Sequence, residues 1–463
     1  MILELLRHTV FGRKLVNDSR SIVDNALFTF EVPLALLTGS DNNATTICAL
    51  LPPDFAIYYQ FVVIVFFQSI FNAILGALMF KIVIEPQQQR KAIQRNNGSS
   101  RSKTDKQDFA GDTLEGTDKK DVASSGTAFL FAFGIAMPCV ILEPIYAVRA
   151  LEIRNVGLIM VFLTTSTVSS LRITEALSGF APVPTRTSLR NYVAYFSCLL
   201  GMEFDPLTGN PKRVSREFFR KRLTTLGRDF AIVSLIISFL KPYEYEFFET
   251  HRAVDSMDHT LQEVFSWQHL LNNLFVAFLI SACLSQFSIG VSLVYNIFYG
   301  VQTYEIVLNP MLKSKSPSDF WGRRWNMLVH NGLKNGVYKP TRKHTSSKLL
   351  AVVATFVVSG IIHEYVNYVM FHGHGSDENV AYNFAWKQII FFGWNGILVG
   401  LEYLIGHWTI FQWMSRTLPP IVLTALVLCS ALPLVHLFTG DWIKRGYFDA
   451  MYLAEPIVVC RRE

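Results

Sequence analysis

Apolar residues run along this chain in blocks rather than in stripes. Phe55–Ile84, Ala128–Val148, Val156–Leu171, Leu270–Tyr299, Leu349–Phe371, Trp386–Ile405 and Pro420–Phe438 are each dominated by hydrophobic side chains and nearly free of charge. A helix that crosses a bilayer needs about 20 such residues, so each block predicts a spanning helix. Phe230–Leu240 is shorter but equally apolar, and predicts a further span reaching into Gly227 or Tyr243. Asn25–Thr38, which carries Glu31 and Pro33, is a weaker candidate, and Asn191–Met202 reads as re-entrant or interfacial. The fold class expected is an all-α integral membrane protein, a polytopic bundle of about eight to ten transmembrane helices. Leu270–Tyr299 exceeds one crossing, which predicts strong tilt or a break near Ser288–Gly290.

Composition agrees and excludes the alternatives. Of 463 residues only 17% are charged and 51% are hydrophobic, whereas soluble domains carry about 25% charge. Soluble multidomain, disordered and coiled-coil readings therefore fall away. The six cysteines (Cys48, Cys139, Cys198, Cys283, Cys429, Cys460) lie far apart with no metal-type spacing and read as small buried hydrophobes. Met1–Asn25 has no cleavable-signal pattern, so the expected route into the membrane is through the spans themselves.

The remaining charges orient the spans. Lys212–Arg228 and Lys313–Lys348 are rich in Lys and Arg, while the intervening Lys241–Gln268 is acidic and Asp377-Glu378 falls on that same far side. Basic loops face the cytosol, which puts both basic segments there. Glu85–Gly126 is polar and almost free of large apolar residues, and reads as a disordered cytosolic loop. Within Lys212–Arg228, Val214, Phe218, Phe219 and Leu223 interleave with the basic residues. This predicts a helix lying in the interface among anionic head groups rather than a nucleic-acid site.

Ionisable groups inside spans are functional candidates by default. His363 lies roughly 14 residues, or ~21 Å, into its predicted helix. Burial without an anion disfavours the imidazolium, leaving a neutral ring with a free nitrogen suited to taking a proton from a hydroxyl. The alternative is a His hydrogen-bonded to a neighbouring helix. His363-Glu364-Tyr365-Val366-Asn367 begins like a zinc-binding HExxH, but Asn367 replaces the second imidazole, so no metal is expected. His372 and His374 lie past the helix end. Helical spacing puts Ser359, His363 and Asn367 on one face, beside Gly360, with Glu364 pointing elsewhere as a helix partner. Glu143, Glu402, Asn72, Asn272 and Asn273 are read as helix-to-helix hydrogen-bonding groups.

A second constellation precedes it: Phe320-Trp321-Gly322-Arg323-Arg324-Trp325-Asn326, leading to Val337-Tyr338-Lys339-Pro340. Two readings stand. The segment is an interfacial anchor whose Arg side chains meet lipid phosphate, or a site for a polyanionic ligand with Asn326 aimed at a reacting carbonyl.

FWGRRWN, then VYxP, then Ser359-Gly360-Ile361-Ile362-His363-Glu364, in that order, resembles the membrane-bound O-acyltransferase superfamily. The likeness is to its wax-synthase branch, the plant-type long-chain-alcohol O-fatty-acyltransferases, and covers roughly residues 305–370. Relatives that esterify sterols or diacylglycerol carry an FYxDWWN-like segment, from which Gly322-Arg323-Arg324 departs. The resemblance implies one multi-span acyltransferase domain over 1–463, with a motif core at 305–371 and helices arranged around an intramembrane reaction chamber. It implies acyl transfer from acyl-CoA, as co-substrate, to a long-chain alcohol, with no permanently bound cofactor. His363 would be the base and Asn326 the group that positions or stabilises the acyl carbonyl. Arg323 and Arg324 would hold coenzyme A phosphates, and Trp321 and Trp325 would line the entry. The partners implied are acyl-CoA, a lipid alcohol and membrane lipids, with no nucleic acid, in the endoplasmic reticulum; the oligomeric state is left open. A sterol, diacylglycerol or terpenoid acceptor is the nearest alternative. A proton-coupled transporter using His363 and Glu364 is the alternative from another class, although related halves with broken helices are not apparent.

Overall fold

A computed structural model describes residues 28–33, 45–101, 126–250, 256–371, 386–452 and 455–461. Its described residues are overwhelmingly helical, and eight helices are long and apolar enough to cross a membrane: Phe55–Gln94, Gly126–Ala150, Val156–Leu177, Arg216–Tyr243, Trp267–Tyr299, Lys348–Phe371, Lys387–Ile405 and Pro420–Lys444. All seven long apolar blocks and Phe230–Leu240 lie within them, except that Trp386 precedes Lys387–Ile405 by one residue. The protein is a polytopic, essentially all-α integral membrane protein.

The chain runs β1 (Phe28–Pro33), β2 (Thr45–Leu51), α1 (Phe55–Met79), α2 (Glu85–Arg101), α3 (Met137–Ala150), α4 (Val156–Leu177), α5 (Leu189–Ser197), α6 (Arg216–Leu240) and α7 (Trp267–Tyr299). It continues through α8 (Pro317–Arg323), α9 (Met327–Leu333), α10 (Lys348–Phe371), α11 (Lys387–Ile405), α12 (Pro420–Ala431), α13 (Val435–Lys444), α14 (Tyr447–Tyr452) and β3 (Ile457–Arg461). α4 is the most completely buried of the eight spans. Its start is fixed by Asn155, whose side chain accepts from Leu158 N at 3.1 Å, a standard way to satisfy an orphan helix N–H. Polar side chains tie its neighbours to it. Ser169 Oγ donates to Asn72 Oδ1 at 2.8 Å, and Gln68 Nε2 donates to Glu143 Oε1 at 2.8 Å between α1 and α3. Away from water such groups must find one another.

Several expectations are corrected. Asn25–Thr38 is not a span: Phe28–Pro33 forms β1, antiparallel to β2, which pairs with β3 in a three-stranded sheet. Asn191–Met202, read as re-entrant or interfacial, is not among the eight spans and is not corrected: it holds the short helix α5, whose end is bound by the buried Arg172. That guanidinium donates to the carbonyls of Phe196, Cys198 and Leu200 at 3.2, 2.6 and 3.1 Å, satisfying oxygens that the helix itself leaves free. Lys212–Arg228 is not a separate in-plane helix, because α6 runs unbroken from Arg216 into the apolar span. α7 is likewise continuous over its 33 residues, with no break at Ser288–Gly290. Glu85–Arg101 is helical rather than disordered. Its Gln, Arg, Lys and Ala residues favour helix, and the preceding span has already met the cost of nucleation. Residues 102–125 lie outside the described residues, as do His372, His374, Asp377 and Glu378.

α10 and α11 pack most closely. A Cβ on Gly360 would lie 2.7 Å from Ile389 Cα, and one on Gly396 would lie 3.0 Å from Phe356 Cβ. The two glycines thus allow the backbones an approach that larger residues would prevent.

Candidate active site

His363 sits in the second half of α10 with its ring between Phe392, centroids 4.3 Å apart, and Phe438, at 5.5 Å. Its Nδ1 lies 2.7 Å from Ser359 O. A carbonyl oxygen only accepts, so Nδ1 carries the hydrogen and the Nε2 lone pair is left as acceptor. Glu364, one residue on, turns away: its Oε1 accepts from Gln388 N at 2.9 Å. Asn367 Oδ1 accepts from Trp442 Nε1 at 2.8 Å. Neither residue completes a triad with His363. Among the described residues no group of three His, Cys, Asp or Glu could hold a metal ion.

Asn326 is placed by a break between two short helices. Ser316 caps α8, accepting from Asp319 N at 3.2 Å, and Pro317 opens it, a position where the missing N–H costs nothing. Glu402 of α11 holds the same end, accepting from Ser318 N and Ser318 Oγ at 2.7 Å each. α8 ends at Arg323, and Asn326 then caps α9, its Oδ1 accepting from Val329 N at 3.2 Å. The cap fixes which way the amide points. Oδ1 is used inward, and Nδ2 has no partner among the described residues.

The remaining motif residues separate by role. Trp321 Nε1 donates to Asn395 Oδ1 at 3.0 Å, while Trp325 stacks on Phe320, centroids 5.3 Å apart at 18°. Arg324 is committed to the protein: its Nε donates to Asp319 Oδ2 at 2.7 Å, and Nη1 reaches Leu308 O at 3.4 Å. Arg323 is exposed and has no partner among the described residues.

Two cavities meet at His363. The larger, of about 420 Å³, has Arg323, His330, Lys334 and Ser359 among its lining residues. The smaller, of about 160 Å³, runs between α4, α7, α10 and α13 among apolar side chains, with Thr164, Thr167 and Cys283. His363, Asn326, Trp325 and Val329 line both. The shared wall therefore carries a ring nitrogen able to accept a proton and an amide able to donate to an oxygen. One side of it is apolar and the other bears cations. Residues 304–392 match the Membrane bound O-acyl transferase family.

The membrane bound O-acyl transferase match contains Trp321, Arg323, Arg324, Trp325, Asn326 and His363, and spans α8, α9, α10 and the start of α11. Among similar proteins, Acyl-CoA--sterol O-acyltransferase 1 of Arabidopsis thaliana is 36% identical over 124 residues, 24% of this chain and 33% of the relative. Probable long-chain-alcohol O-fatty-acyltransferase 9 of the same plant is 31% identical over 111 residues, 22% of this chain and 30% of the relative. Probable long-chain-alcohol O-fatty-acyltransferase 7 is 45% identical over 58 residues, 11% and 17% respectively. The chain spans about a third of the length of the first of these relatives.

Within the matched region, His363, Asn326, Trp321, Trp325 and Arg323 come together on the larger cavity, whereas Arg324 lines neither. Sequence reasoning missed His330 and Lys334. The signal was present, since Asn326, His330 and Lys334 recur at helical spacing and share a face. Burial, helped by neighbouring Lys334, pushes the His330 imidazole down to about 4, so a second neutral ring borders the larger cavity.

Proposed function

We propose that the protein is an acyl-CoA-dependent O-acyltransferase that esterifies a long-chain fatty alcohol to a wax ester inside the membrane. The observation that carries this reading is the shared wall, with His363 Nε2 and Asn326 Nδ2 both free between a cation-lined cavity and an apolar one. Acyl-CoA enters the larger cavity from the cytosol, its phosphates meeting Arg323 and Lys334, and its thioester carbonyl reaches Asn326. The hydroxyl end of the alcohol occupies the smaller cavity at His363. Nε2 takes the hydroxyl proton as the oxygen attacks the carbonyl carbon. Asn326 Nδ2 donates to the developing oxyanion, a contribution worth roughly 3–4 kcal/mol. The C–S bond then breaks, and the thiolate takes the proton back from Nε2. The thioester is already activated, so neither a covalent enzyme intermediate nor a bound cofactor is needed.

The basic loops support a cytosolic face for the donor, and a lipid product made within the bilayer fits the endoplasmic reticulum. A sterol acceptor is the second reading, favoured by the 36% identity to Acyl-CoA--sterol O-acyltransferase 1. The Gly322-Arg323-Arg324 segment, which departs from the FYxDWWN-like pattern of relatives that esterify sterols, favours the fatty alcohol. Isolated membranes supplied with labelled acyl-CoA and either a fatty alcohol or a sterol decide between them. Wax ester is the expected labelled product; steryl ester alone would replace the first reading with the second, and no ester from either would remove both.

A further inference from the structure

One turn of α4 is unusually rich in hydroxyl groups, and the protein uses all of them but one. Thr164 Oγ1 donates to Met160 O at 2.7 Å and Thr165 Oγ1 to Val161 O at 2.9 Å. Ser166 Oγ lies 3.2 Å from Tyr365 OH, and Ser169 Oγ donates to Asn72 Oδ1 at 2.8 Å. Thr167 Oγ1 is buried and has no partner, in a residue only 7% exposed. An unmade hydrogen bond at such depth is costly, so the exception requires a reason. Thr167 lines the smaller cavity together with His363 and Asn326, and does not line the larger one.

Packing brings it to the reacting groups. α4 and α9 run side by side in the same direction, with Leu171 against Gly332 and Thr174 against Gly336 just past the helix end. One turn back along each helix stand Thr167 and Leu328, which both border the smaller cavity. Asn326 caps α9 two residues before Leu328. The Ser166–Tyr365 contact joins the same turn of α4 to α10, two residues beyond His363.

We propose that Thr167 binds the acceptor hydroxyl, its Oγ1–H donating to the alcohol oxygen. The inference rests on the acyl-transfer reading and adds the residue that receives the acceptor. An alcohol has a single hydroxyl hydrogen, which His363 Nε2 requires, so Thr167 must be the donor. The alcohol oxygen has two lone pairs. One accepts from Thr167 and the other attacks the thioester carbonyl carbon as the proton passes to Nε2. The C–S bond then breaks, and the proton goes on to the leaving thiolate. Thr167 thereby turns the O–H toward the base, while Asn326 serves the acyl carbonyl.

Thr167→Val keeps the branched shape and removes the hydroxyl; Thr167→Ser keeps the hydroxyl and removes the methyl. Membranes carrying each are assayed with labelled acyl-CoA and a long-chain primary alcohol, and the detergent-solubilised proteins are unfolded thermally. Thr167→Val is expected to lower kcat/KM for the alcohol about five- to tenfold, the scale of one neutral hydrogen bond, with KM for acyl-CoA unchanged. Its unfolding temperature should not fall, because the hydroxyl satisfies no group of the protein. Thr167→Ser should recover most of the lost activity. Thr167→Val within about twofold of wild type would overturn the inference. So would a Thr167→Ser enzyme as slow as Thr167→Val, an effect confined to KM for acyl-CoA, or a loss of activity in Thr167→Val accompanied by a lower unfolding temperature. Wild-type membranes that form no ester would overturn the acyl-transfer reading, and this inference with it.

Discussion

Asn326 carries two separable duties, and substituting it two ways tells them apart. Its Oδ1 caps α9 through Val329 N at 3.2 Å, while Nδ2 has no partner among the described residues and Asn326 lines both cavities. Asn326→Asp keeps an oxygen at the cap, where Asp serves about as well as Asn, but removes the donor. Asn326→Ala removes both. Loss of one oxyanion donor costs about 10²–10³ in kcat, or roughly 3–4 kcal/mol of transition-state stabilisation, and loss of a cap costs about 1 kcal/mol of stability. Both variants should therefore lose turnover to that extent with little change in KM for acyl-CoA, and only the Ala variant should unfold at lower temperature. Ester formation in membranes, paired with thermal unfolding of the detergent-solubilised protein, reads both quantities. Asn326→Asp with turnover within about threefold of wild type, or with a raised KM alone, would refute the oxyanion assignment.

The two adjacent arginines should diverge. Arg323→Ala raises KM for acyl-CoA several-fold, whereas Arg324→Ala, which breaks the 2.7 Å pair with Asp319, lowers thermal stability and leaves that KM near wild type. Gly360→Val should destabilise the α10–α11 pair by about 1–3 kcal/mol or more, since its Cβ would meet Ile389 Cα at 2.7 Å; thermal unfolding and the yield of folded protein report it. His330, held down to about 4 by burial and Lys334, is favoured as the neutral ring by folding. Its contribution is complete above the ordinary value near 6.5 and is lost as pH falls from there through about 4. Stability measured between pH 7 and pH 4 should decline less steeply in His330→Gln than in the wild type.

The spans were legible because a bilayer admits few solutions: a long apolar block either crosses or is buried, and all seven blocks became helices. Continuity was harder to read. Arg216–Arg228 and Phe230–Leu240 look like two elements by composition, but backbone hydrogen bonding makes them one helix, α6. Glu85–Arg101 looks disordered when taken alone, yet it extends a helix already nucleated in the membrane. α5 was invisible as a short buried helix because its stability comes from Arg172, distant in sequence. At the site, His363 could be found from depth and Gly360 from the need for close approach. The division between Arg323 and Arg324 could not, because it depends on Asp319 lying within reach of one guanidinium and not the other.

The central claim concerns one nitrogen, Nε2 of His363, left free because Nδ1 is bound to Ser359 O at 2.7 Å. Its most direct test is ester formation by His363→Ala in membranes, with the amount of membrane-integrated protein measured in the same samples. The account predicts wild-type abundance and no ester formation; turnover close to wild type would contradict it.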